Sequence, residues 1–336
     1  MAHDIWIENG SASMMYYGDP PWHGLGTELH EPATAREAIE AARLDYQVLK
    51  KPVFARDEGD VHTSPLQTKL FALVPSDRWG KNDCPVYGIV SDQYAPLQNG
   101  EAFEFFDPIV GAEAAIYHTA GALGKGERVW ILAKLPSNIR VVGDDIVDKY
   151  LLLSNSHDGK NSVQVKFTPI RVVCQNTLTM ALSEGPTIKV AHTRDLHQRL
   201  DQARQMLGLV NTRYGEIEAA FRQMVRVQMN GDRLDDYLRF VFPDPADPLN
   251  ERAAERVQNN RQWSEYLFDQ GKGNAAPGVK GTLWAAYNGV TEYIDYGPTY
   301  GGHTRRLGSC WFGNGYLTKA RAFRVAEAKL DTWSRN

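Results

Sequence analysis

Short runs of alternating apolar and polar residues fill the first half of the chain. Bracketed by turn residues, these runs predict strands at 46–54, 69–74, 86–90, 115–117, 128–135, 139–142, 150–153, 163–167 and 187–191. Their connections are too short for crossover helices, so we expect antiparallel pairing. Helices are predicted to begin at Thr34 and to cover 100–110 and 172–182. The first 30 residues, rich in Pro and Gly, are expected to be irregular.

The second half of the chain has helical periodicity instead. Apolar residues from Leu196 to Met224 recur at alternating steps of four and three, which predicts a long heptad-patterned helix over 195–229. Gly208 and Gly215 weaken this helix by about 1 kcal/mol each relative to alanine. The apolar seam at 196–224 predicts packing either within the chain or against a second copy in a homo-oligomer. Further helices are predicted at 232–241, 250–268, 283–294 and 317–333.

Together these patterns predict the α+β class. The N-terminal half is expected to hold a mainly antiparallel sheet with packed helices, and the C-terminal half is expected to be helical. Because the pattern changes after Thr193, we expect a sheet-rich domain at 1–193 and a helical domain at 194–336. A chain of 336 residues is long enough for two modest domains or one large one.

Composition is typical of a globular protein in water, with 43% hydrophobic and 23% charged residues. No apolar run approaches the roughly 20 residues of a membrane span. The N-terminus lacks the basic and then apolar pattern of a signal peptide. Cys84, Cys174 and Cys310 lie too far apart for a disulfide framework or a zinc spacing. We therefore expect reduced thiols, no membrane partner and a cytoplasmic location.

Charge is unevenly distributed although the net charge is only −4. Residues 1–60 carry five basic and eleven acidic residues, whereas residues 301–336 carry seven basic and two acidic residues. The basic end, which includes Arg305 and Arg306, predicts a surface for a polyanion. An ordinary solvated helix face, or a contact between the two ends of the chain, would give the same pattern.

Basic and aromatic residues also alternate on or beside the predicted strands. Such a surface binds single-stranded nucleic acid, because bases stack on aromatic rings while phosphates meet Lys or Arg. A half-solvated sheet with its lysines toward water has the same pattern. The residues concerned are Tyr117, Arg128, Trp130, Lys134, Arg140, Lys149, Tyr150, Lys160, Lys166 and Arg171.

The common catalytic signatures are missing from the sequence. The nine histidines are scattered, and none forms the i, i+4 pair of a helical metal site, so we expect no metal and no cofactor. The alternative is a metal site assembled in three dimensions from His23, His157, Asp158 and His192. Neither a P-loop nor a glycine-rich dinucleotide motif follows a predicted strand. Cys174 lies beside Arg171, which would lower a thiol pKa, but its valine neighbours favour a packed thiol.

Two polar clusters bracket the strand predicted at 163–167, one at 156–160 and one at 171–176. His157 and Asp158 in the first cluster are candidates for general acid–base catalysis. Basic and amide side chains around the strand are candidates for holding an anion. The residues predicted to bind nucleic acid or another anion are Lys160, Lys166, Arg171, Gln175 and Asn176, together with Arg305 and Arg306.

Several motifs together resemble one known family. In the family's order they are Pro21–Thr27, Arg128–Leu135 with Pro136, Ser154–Gly159, Thr168–Leu178 with His192-Thr193, and Trp284–Tyr293. This chain is similar, from about Trp22 to its last helix, to the phage/plasmid-like protein family, catalogued as domain of unknown function 932. The resemblance implies that the protein belongs to a mobile element in a bacterial host cell. It also implies that His157, Asp158, Arg171 and Asn176 are important. It implies no reaction.

Three hypotheses follow. In the first, the protein binds DNA, preferably single-stranded, and assists replication, recombination or annealing of a mobile element. In the second, it is a phosphate-directed enzyme acting on a nucleotide or nucleic acid through His157, Asp158 and Arg171. In the third, it is a structural or interaction protein. A solvent-reachable pocket would favour catalysis, a continuous basic groove would favour binding, and burial of His157 and Arg171 would weaken both.

Overall fold

A computed structural model describes residues 5–21, 24–56, 64–105, 107, 115–171, 176–177, 187–196, 198, 210–247, 249–298, 309–311 and 313–334. The strands are β1 (Ile7–Glu8), β2 (Ser11–Ala12), β3 (Met14–Tyr17), β4 (Thr27–Leu29), β5 (Val48–Ala55), β6 (Leu66–Pro75), β7 (Gly88–Ser91), β8 (Ile116–Leu123), β9 (Arg128–Val142), β10 (Asp145–Ser156), β11 (Val163–Phe167), β12 (Ile170–Arg171), β13 (Asn176–Thr177) and β14 (Thr187–Val190). The helices are α1 (Ala35–Ala41), α2 (Asn99–Glu104), α3 (Val210–Arg226), α4 (Gly231–Val241), α5 (Glu251–Gln270), α6 (Leu283–Tyr296) and α7 (Asn314–Trp333). These elements confirm the α+β class.

A nine-stranded sheet forms the centre of the described chain. Its main path runs β13-β12-β10-β9-β8-β3-β4, and β11 joins β10 to β14 beside that path. All neighbours are antiparallel except β3 and β4. The strands predicted at 128–135 and 139–142 form one continuous strand, β9. Pro136 does not end this strand, because the pairing with β10 shifts its register opposite Pro136, between Asp148 and Tyr150. This irregularity accommodates a residue that has no N–H to donate.

A smaller antiparallel sheet consists of β5, β6 and β7 in that order. One face packs into the core through Val48, Leu73 and Val90, which are 3%, 0% and 6% exposed. Directly paired residues of antiparallel strands share a face, so the next residues along each strand point outward. The sheet therefore has one buried and one outward face.

The first 30 residues are not irregular as the Pro and Gly content predicted. Strands β1 and β2 form a short pair, β3 pairs with β8, and β4 pairs with β3. Met14 and Met15 are buried, at 4% and 0% exposure. Their burial, together with the backbone hydrogen bonds that β8 offers, outweighs the local turn signals.

The helix predicted at 172–182 is wrong at Asn176 and Thr177, which form β13. Arg171 pairs with Asn176, and Ile170 pairs with Thr177, so β12 and β13 extend the large sheet at its edge. Tertiary pairing therefore decides the conformation at these positions. Residues 172–175 and 178–182 lie outside the described residues.

The heptad seam packs within the chain wherever it is described. Tyr214, Ile217, Phe221 and Met224 of α3 are fully buried. The Phe221 ring lies 4.5 Å from the ring of Trp284, measured between centroids. Self-association through this part of the seam is excluded, because its apolar face is already covered. Residues 199–209 lie outside the described residues, so self-association elsewhere stays a prediction.

The large sheet separates two apolar clusters. The main cluster contains Leu151 and Leu153 of β10 together with α1, α2, α3 and α6. The smaller cluster, on the other face, contains Trp130 and Leu152 and is covered by Cys310 and Trp311. The main cluster contains residues from both sides of the predicted domain boundary at 193/194. That boundary stays a prediction. Among the described helices, none combines the length and the apolar character required to cross a bilayer.

Candidate functional site

The stretch Ser154–Asp158 lies where β10 ends, and its side chains alternate between the two faces of the large sheet. Asn155 follows Leu153 into the main cluster, where its Nδ2 donates to the carbonyl of Leu97 at 2.8 Å. Ser154 and Ser156 lie on the opposite face and line an open cleft. Neighbouring residues of this short motif therefore lie in two different environments.

His157 is fully enclosed on the main-cluster side. Its Nε2 lies 3.0 Å from Oδ1 of Asn99, and its backbone N–H donates to the carbonyl of Glu127 at 2.7 Å. The ring stacks on Tyr87 with centroids 6.1 Å apart. Burial, reinforced by the neighbouring His192, lowers the pKa of His157 to about 3. The imidazole is neutral at ordinary pH and out of contact with water, so the geometry disfavours an acid–base role.

His192 lies in the same buried region. Its Nδ1 is 3.1 Å from the carbonyl oxygen of Ala95, and its ring stacks on Tyr94 at 4.7 Å. The Tyr94 hydroxyl donates to the carbonyl of Ser156, which ties this stack to the end of β10. Burial also lowers the pKa of His192. Within the described ranges, no cluster of three or more His, Cys, Asp or Glu could hold a metal ion.

Asp158 anchors the turn that follows β10. Its Oδ1 accepts from the Ser156 hydroxyl at 2.6 Å and from the Lys160 backbone N–H at 2.9 Å. Its Oδ2 lies 3.4 Å from a terminal nitrogen of Arg128. Burial by itself would raise the pKa of Asp158, but the hydrogen bonds and the guanidinium hold that pKa below its ordinary value. Asp158 is therefore an ionised acceptor that orients Arg128.

The cleft on this face has a volume of about 400 Å³ and lies between the ends of β9, β10 and β11 and the start of α7. Ser154 is only 9% exposed, and its hydroxyl forms no hydrogen bond with any residue that the structure describes. The Nε of Arg128 likewise has no partner there. Polar lining residues are Arg128, Ser154, Asn155, Ser156, Asn161, Ser162, Gln164, Ser309 and Asn314. Asn155 borders the cleft although the residue is only 1% exposed.

The N-terminus of α7 closes one side of the cleft. Gly313 precedes the helix and provides no side-chain cap. Ser309 partly replaces a cap, because its hydroxyl accepts from the N–H of Gly315 at 3.2 Å. The first turn of a helix carries unpaired N–H groups and a partial positive charge, both favourable to an anion.

Two of the predicted anion-binding lysines have different environments. Lys160 has an exposed side chain beside Asp158. Lys166, which the strand pattern placed toward water, is 5% exposed, so that expectation is wrong. Its ammonium donates to the Trp311 carbonyl at 3.0 Å and lies 4.1 Å from the Tyr316 ring centroid. Burial lowers its pKa to about 8, and Lys189 contributes in the same direction.

The second predicted cluster lies largely outside the described part of the chain. Arg171 and Asn176 pair through their backbones in β12 and β13, and their side chains lie outside the described atoms. Gln175, Arg305 and Arg306 also lie outside the described residues. No position for these side chains relative to the cleft is therefore assigned.

The predicted stacking aromatics on the large sheet are buried. Tyr117, Trp130 and Tyr150 are 0%, 1% and 3% exposed, so no base can stack on them. An exposed ring is found instead at Trp79, beside the small sheet, with the Lys51 ammonium 4.6 Å from its centroid. Sequence reasoning missed this pair because Lys51 lies on β5 and Trp79 lies in the turn after β6, so no periodic pattern contains both residues.

Sequence reasoning also missed that Ser154, Gln164 and Asn314 line one cleft. Alternation along β10 and β11 would have grouped Ser154 with Ser156 and Gln164 with Lys166. No local signal brings Asn314 to the same place, because it is far along the chain.

Comparison with known proteins gives one result. No curated protein and no solved structure matches the chain. A family model described as Domain of unknown function (DUF932) matches residues 86–323. The match includes the end of β10, the residues that line the cleft, and His192. Because it covers more than half of the 336 residues, the chain belongs to the DUF932 family.

Proposed function

We propose that this protein binds single-stranded nucleic acid, preferably DNA, by holding one phosphate of the strand in the cleft. One observation carries the proposal: the Ser154 hydroxyl, the Arg128 guanidinium and the first turn of α7 converge on the same open volume. All three are hydrogen-bond donors, as a phosphate requires.

The charge arrangement supports an anionic ligand. Asp158 partly neutralises Arg128 but contacts only one terminal nitrogen. A guanidinium presents several N–H groups in a fixed fork, so this one can hold Asp158 and still donate to a phosphate oxygen. Lys160, exposed beside Asp158, adds positive charge near the cleft.

The size of the cleft favours a single strand over a duplex. A volume of about 400 Å³ is typical of a site for one small ligand, such as one nucleotide. Duplex recognition uses broad surfaces, of about 1,000 Å² or more for most specific complexes. The amides of Asn161, Gln164 and Asn314 would form hydrogen bonds with base or sugar groups of a splayed nucleotide.

The biological setting of this proposal rests on the resemblance to phage and plasmid proteins. Assistance in replication, recombination or annealing of a mobile element in the bacterial cytoplasm would use such binding. Self-association would help an annealing protein to cover a strand. The alternative, a phosphate-directed enzyme, would need an acid or base other than His157, because that ring is neutral and enclosed.

Fluorescence anisotropy with a labelled single strand of about 16 nucleotides tests the proposal, since this length covers the usual site sizes. We expect binding at about 50 mM salt that weakens strongly by about 200 mM, because phosphate contacts release counterions. An unlabelled duplex of the same length should compete less well than an unlabelled single strand.

Matched variants locate the site. Arg128→Gln should weaken binding about tenfold, because it removes a charge-assisted contact. Arg140→Gln is the control, since Arg140 lies on the same strand but bonds to the Gly143 carbonyl away from the cleft. Absence of binding at about 50 mM salt, or equal losses in the two variants, would overturn the proposal.

A further inference from the structure

A row of paired residues leads from the cleft to the edge of the large sheet. Ser154 of β10 pairs with Gln164 of β11, and Gln164 pairs with Lys189 of β14. Directly paired residues of antiparallel strands share a face, so all three side chains lie on the face that carries the cleft. Val190, the next residue along β14, is buried in the main cluster on the other face, as this alternation requires. Lys189 therefore lies beside a residue that lines the cleft.

Lys189 is the open end of this row. The residue is exposed, and among the described strands β14 pairs with β11 alone. Adjacent strands are about 4.8 Å apart, so Lys189 lies about 10 Å from Ser154, on the far side of β11. A nucleic-acid strand that leaves the cleft across β11 therefore passes over Lys189.

A second lysine lies next to Lys189 on the same face. Lys166 pairs with Thr187, so Lys166 and Lys189 are diagonal neighbours across β11 and β14, about 7–8 Å apart. The Lys166 ammonium is held by the Trp311 carbonyl and the Tyr316 ring, at the wall of the cleft. Two positive charges thus lie together where the cleft meets the edge of the sheet.

This arrangement is unfavourable without an anion. Like charges on neighbouring sheet positions repel, and an ammonium loses its hydration on burial. Both effects lower the pKa of Lys166 to about 8, burial first and the charge of Lys189 second. The other described groups around the ammonium are Tyr316 on α7, the Trp311 carbonyl and, on β10, the apolar Leu152. An anion above the two lysines would attract both charges and offset their repulsion.

We propose that Lys189 and Lys166 form a second anion subsite, which binds the phosphate next to the one held in the cleft. Lys189 contacts this phosphate, and Lys166 adds attraction from beneath it. The inference rests on the proposed function and extends it by giving the path of the strand, from Arg128 past Gln164 to Lys189.

Anisotropy of a labelled strand of about 16 deoxyadenosines, measured with full-length variants, tests the subsite. Lys189→Gln should weaken binding about threefold to tenfold and reduce the slope of log affinity against log salt by about one, as loss of one phosphate contact requires. Lys280→Gln is the matched control. Lys280 is exposed two residues from Gly278, which packs on Val142 at the end of β9 opposite to Arg128.

A pH series tests the part assigned to Lys166. A phosphate nearby raises the pKa of this lysine, so the complex binds more protons than the free protein and affinity falls as pH rises. Between about pH 7 and about pH 9 we expect a loss of about threefold to fivefold. Lys166→Arg keeps its charge throughout, so its affinity should change less over this range. Adenine has no group that titrates there, so the probe itself adds no pH dependence.

The outcomes separate the subsite from the cleft. Unchanged affinity in Lys189→Gln, together with a loss in Arg128→Gln, would overturn the subsite and leave the proposed function intact. Equal losses in Lys189→Gln and Lys280→Gln would also overturn it, because overall charge would then account for the effect. The same pH dependence in the wild type and in Lys166→Arg would overturn the part assigned to Lys166. Absence of wild-type binding at about 50 mM salt would overturn both proposals.

Discussion

The two faces of the large sheet at the end of β10 differ in what covers them. On one face, Asn155 and His157 are enclosed by side chains of the main cluster and held by Leu97 and Asn99. On the other face, Ser154 lies in an open cleft. Neighbours in one motif therefore lie in different surroundings, one enclosed by the fold and one open to the cleft.

The covering elements explain this difference. Tyr87, Tyr94 and His192 close the first face with stacked rings, which removes water and keeps both histidines neutral. The second face is covered by residues 309–311 and the first turn of α7, which leave the cleft open. The Asn155 amide on the enclosed face is taken up by the Leu97 carbonyl. On the open face the Ser156 hydroxyl is taken up by Asp158, and the Ser154 hydroxyl is the donor that remains available to a ligand.

Replacement of His157 by Ala should give the largest effect on this comparison. The variant loses a fully buried ring and leaves Asn99 without its partner, so the free energy of unfolding should fall by about 3 kcal/mol. Urea denaturation measures this change. His30→Ala is the control, because the His30 side chain is 84% exposed. Wild-type stability combined with lost nucleic-acid binding would reverse the roles assigned to the two faces.

Acidification should give the second largest effect. The pKa of His157 is about 3 in the folded chain and about 6.5 when unfolded, so the unfolded state binds the extra proton as pH falls below 6.5. Stability is therefore complete above pH 6.5 and should decrease by about 2 kcal/mol for this histidine on reaching pH 5. His118, with a pKa lowered to about 4 by burial, acts in the same direction.

Denaturation curves between pH 7 and pH 5 measure this dependence. The slope should be smaller in His157→Gln, which keeps a side chain able to bond to Asn99 but cannot take up the proton. A flat profile in the wild-type protein would show that His157 is not enclosed.

The Asn155→Ala variant tests the enclosed face with a smaller change. Its Nδ2 donates to the Leu97 carbonyl, which would be left buried without that donor. The free energy of unfolding should fall by about 1–2 kcal/mol, while nucleic-acid affinity per folded molecule stays unchanged. Thermal unfolding and anisotropy on one preparation report both quantities. A large loss of affinity at full stability would contradict the assignment.

The Ser154→Ala variant, one residue away, should give the smallest change in stability and the opposite pattern. Since the Ser154 hydroxyl bonds to no described residue, the free energy of unfolding should change by less than about 0.5 kcal/mol. Affinity for single-stranded DNA should fall about threefold to tenfold, as loss of one hydrogen bond predicts. If stability falls and affinity does not, the serine belongs to the fold and the cleft is not the site.

Local signals predicted the elements well where burial and periodicity agree. Strand β11 has the predicted bounds, and antiparallel pairing is confirmed throughout the large sheet except between β3 and β4. The capping box of Thr34 and Glu37 is confirmed by hydrogen bonds in both directions. Prediction was wrong at β3 and β13, where a strand forms only because another strand offers it hydrogen bonds.

The site was predictable only in part. Motifs around 154–159 directed attention to the right turn, and Asp158 does lie beside the cleft with Arg128. His157 was expected to act as an acid or base and Lys166 to face water, but both residues are buried. Their burial depends on contacts with remote residues. Asn99 and Trp311 provide those contacts, and neither is local to the motif.

By itself, the sequence predicted a strand at 150–153. The structure extends this strand to Ser156, so Ser154 and Ser156 share one face while Asn155 takes the other, because successive side chains of a strand point in opposite directions. Only the tertiary structure decided which face is closed. The stacked rings come from residues before and after the motif, and the cleft is completed by a helix that begins at Asn314. Burial depends on every element that packs against a residue, so no local pattern contains it.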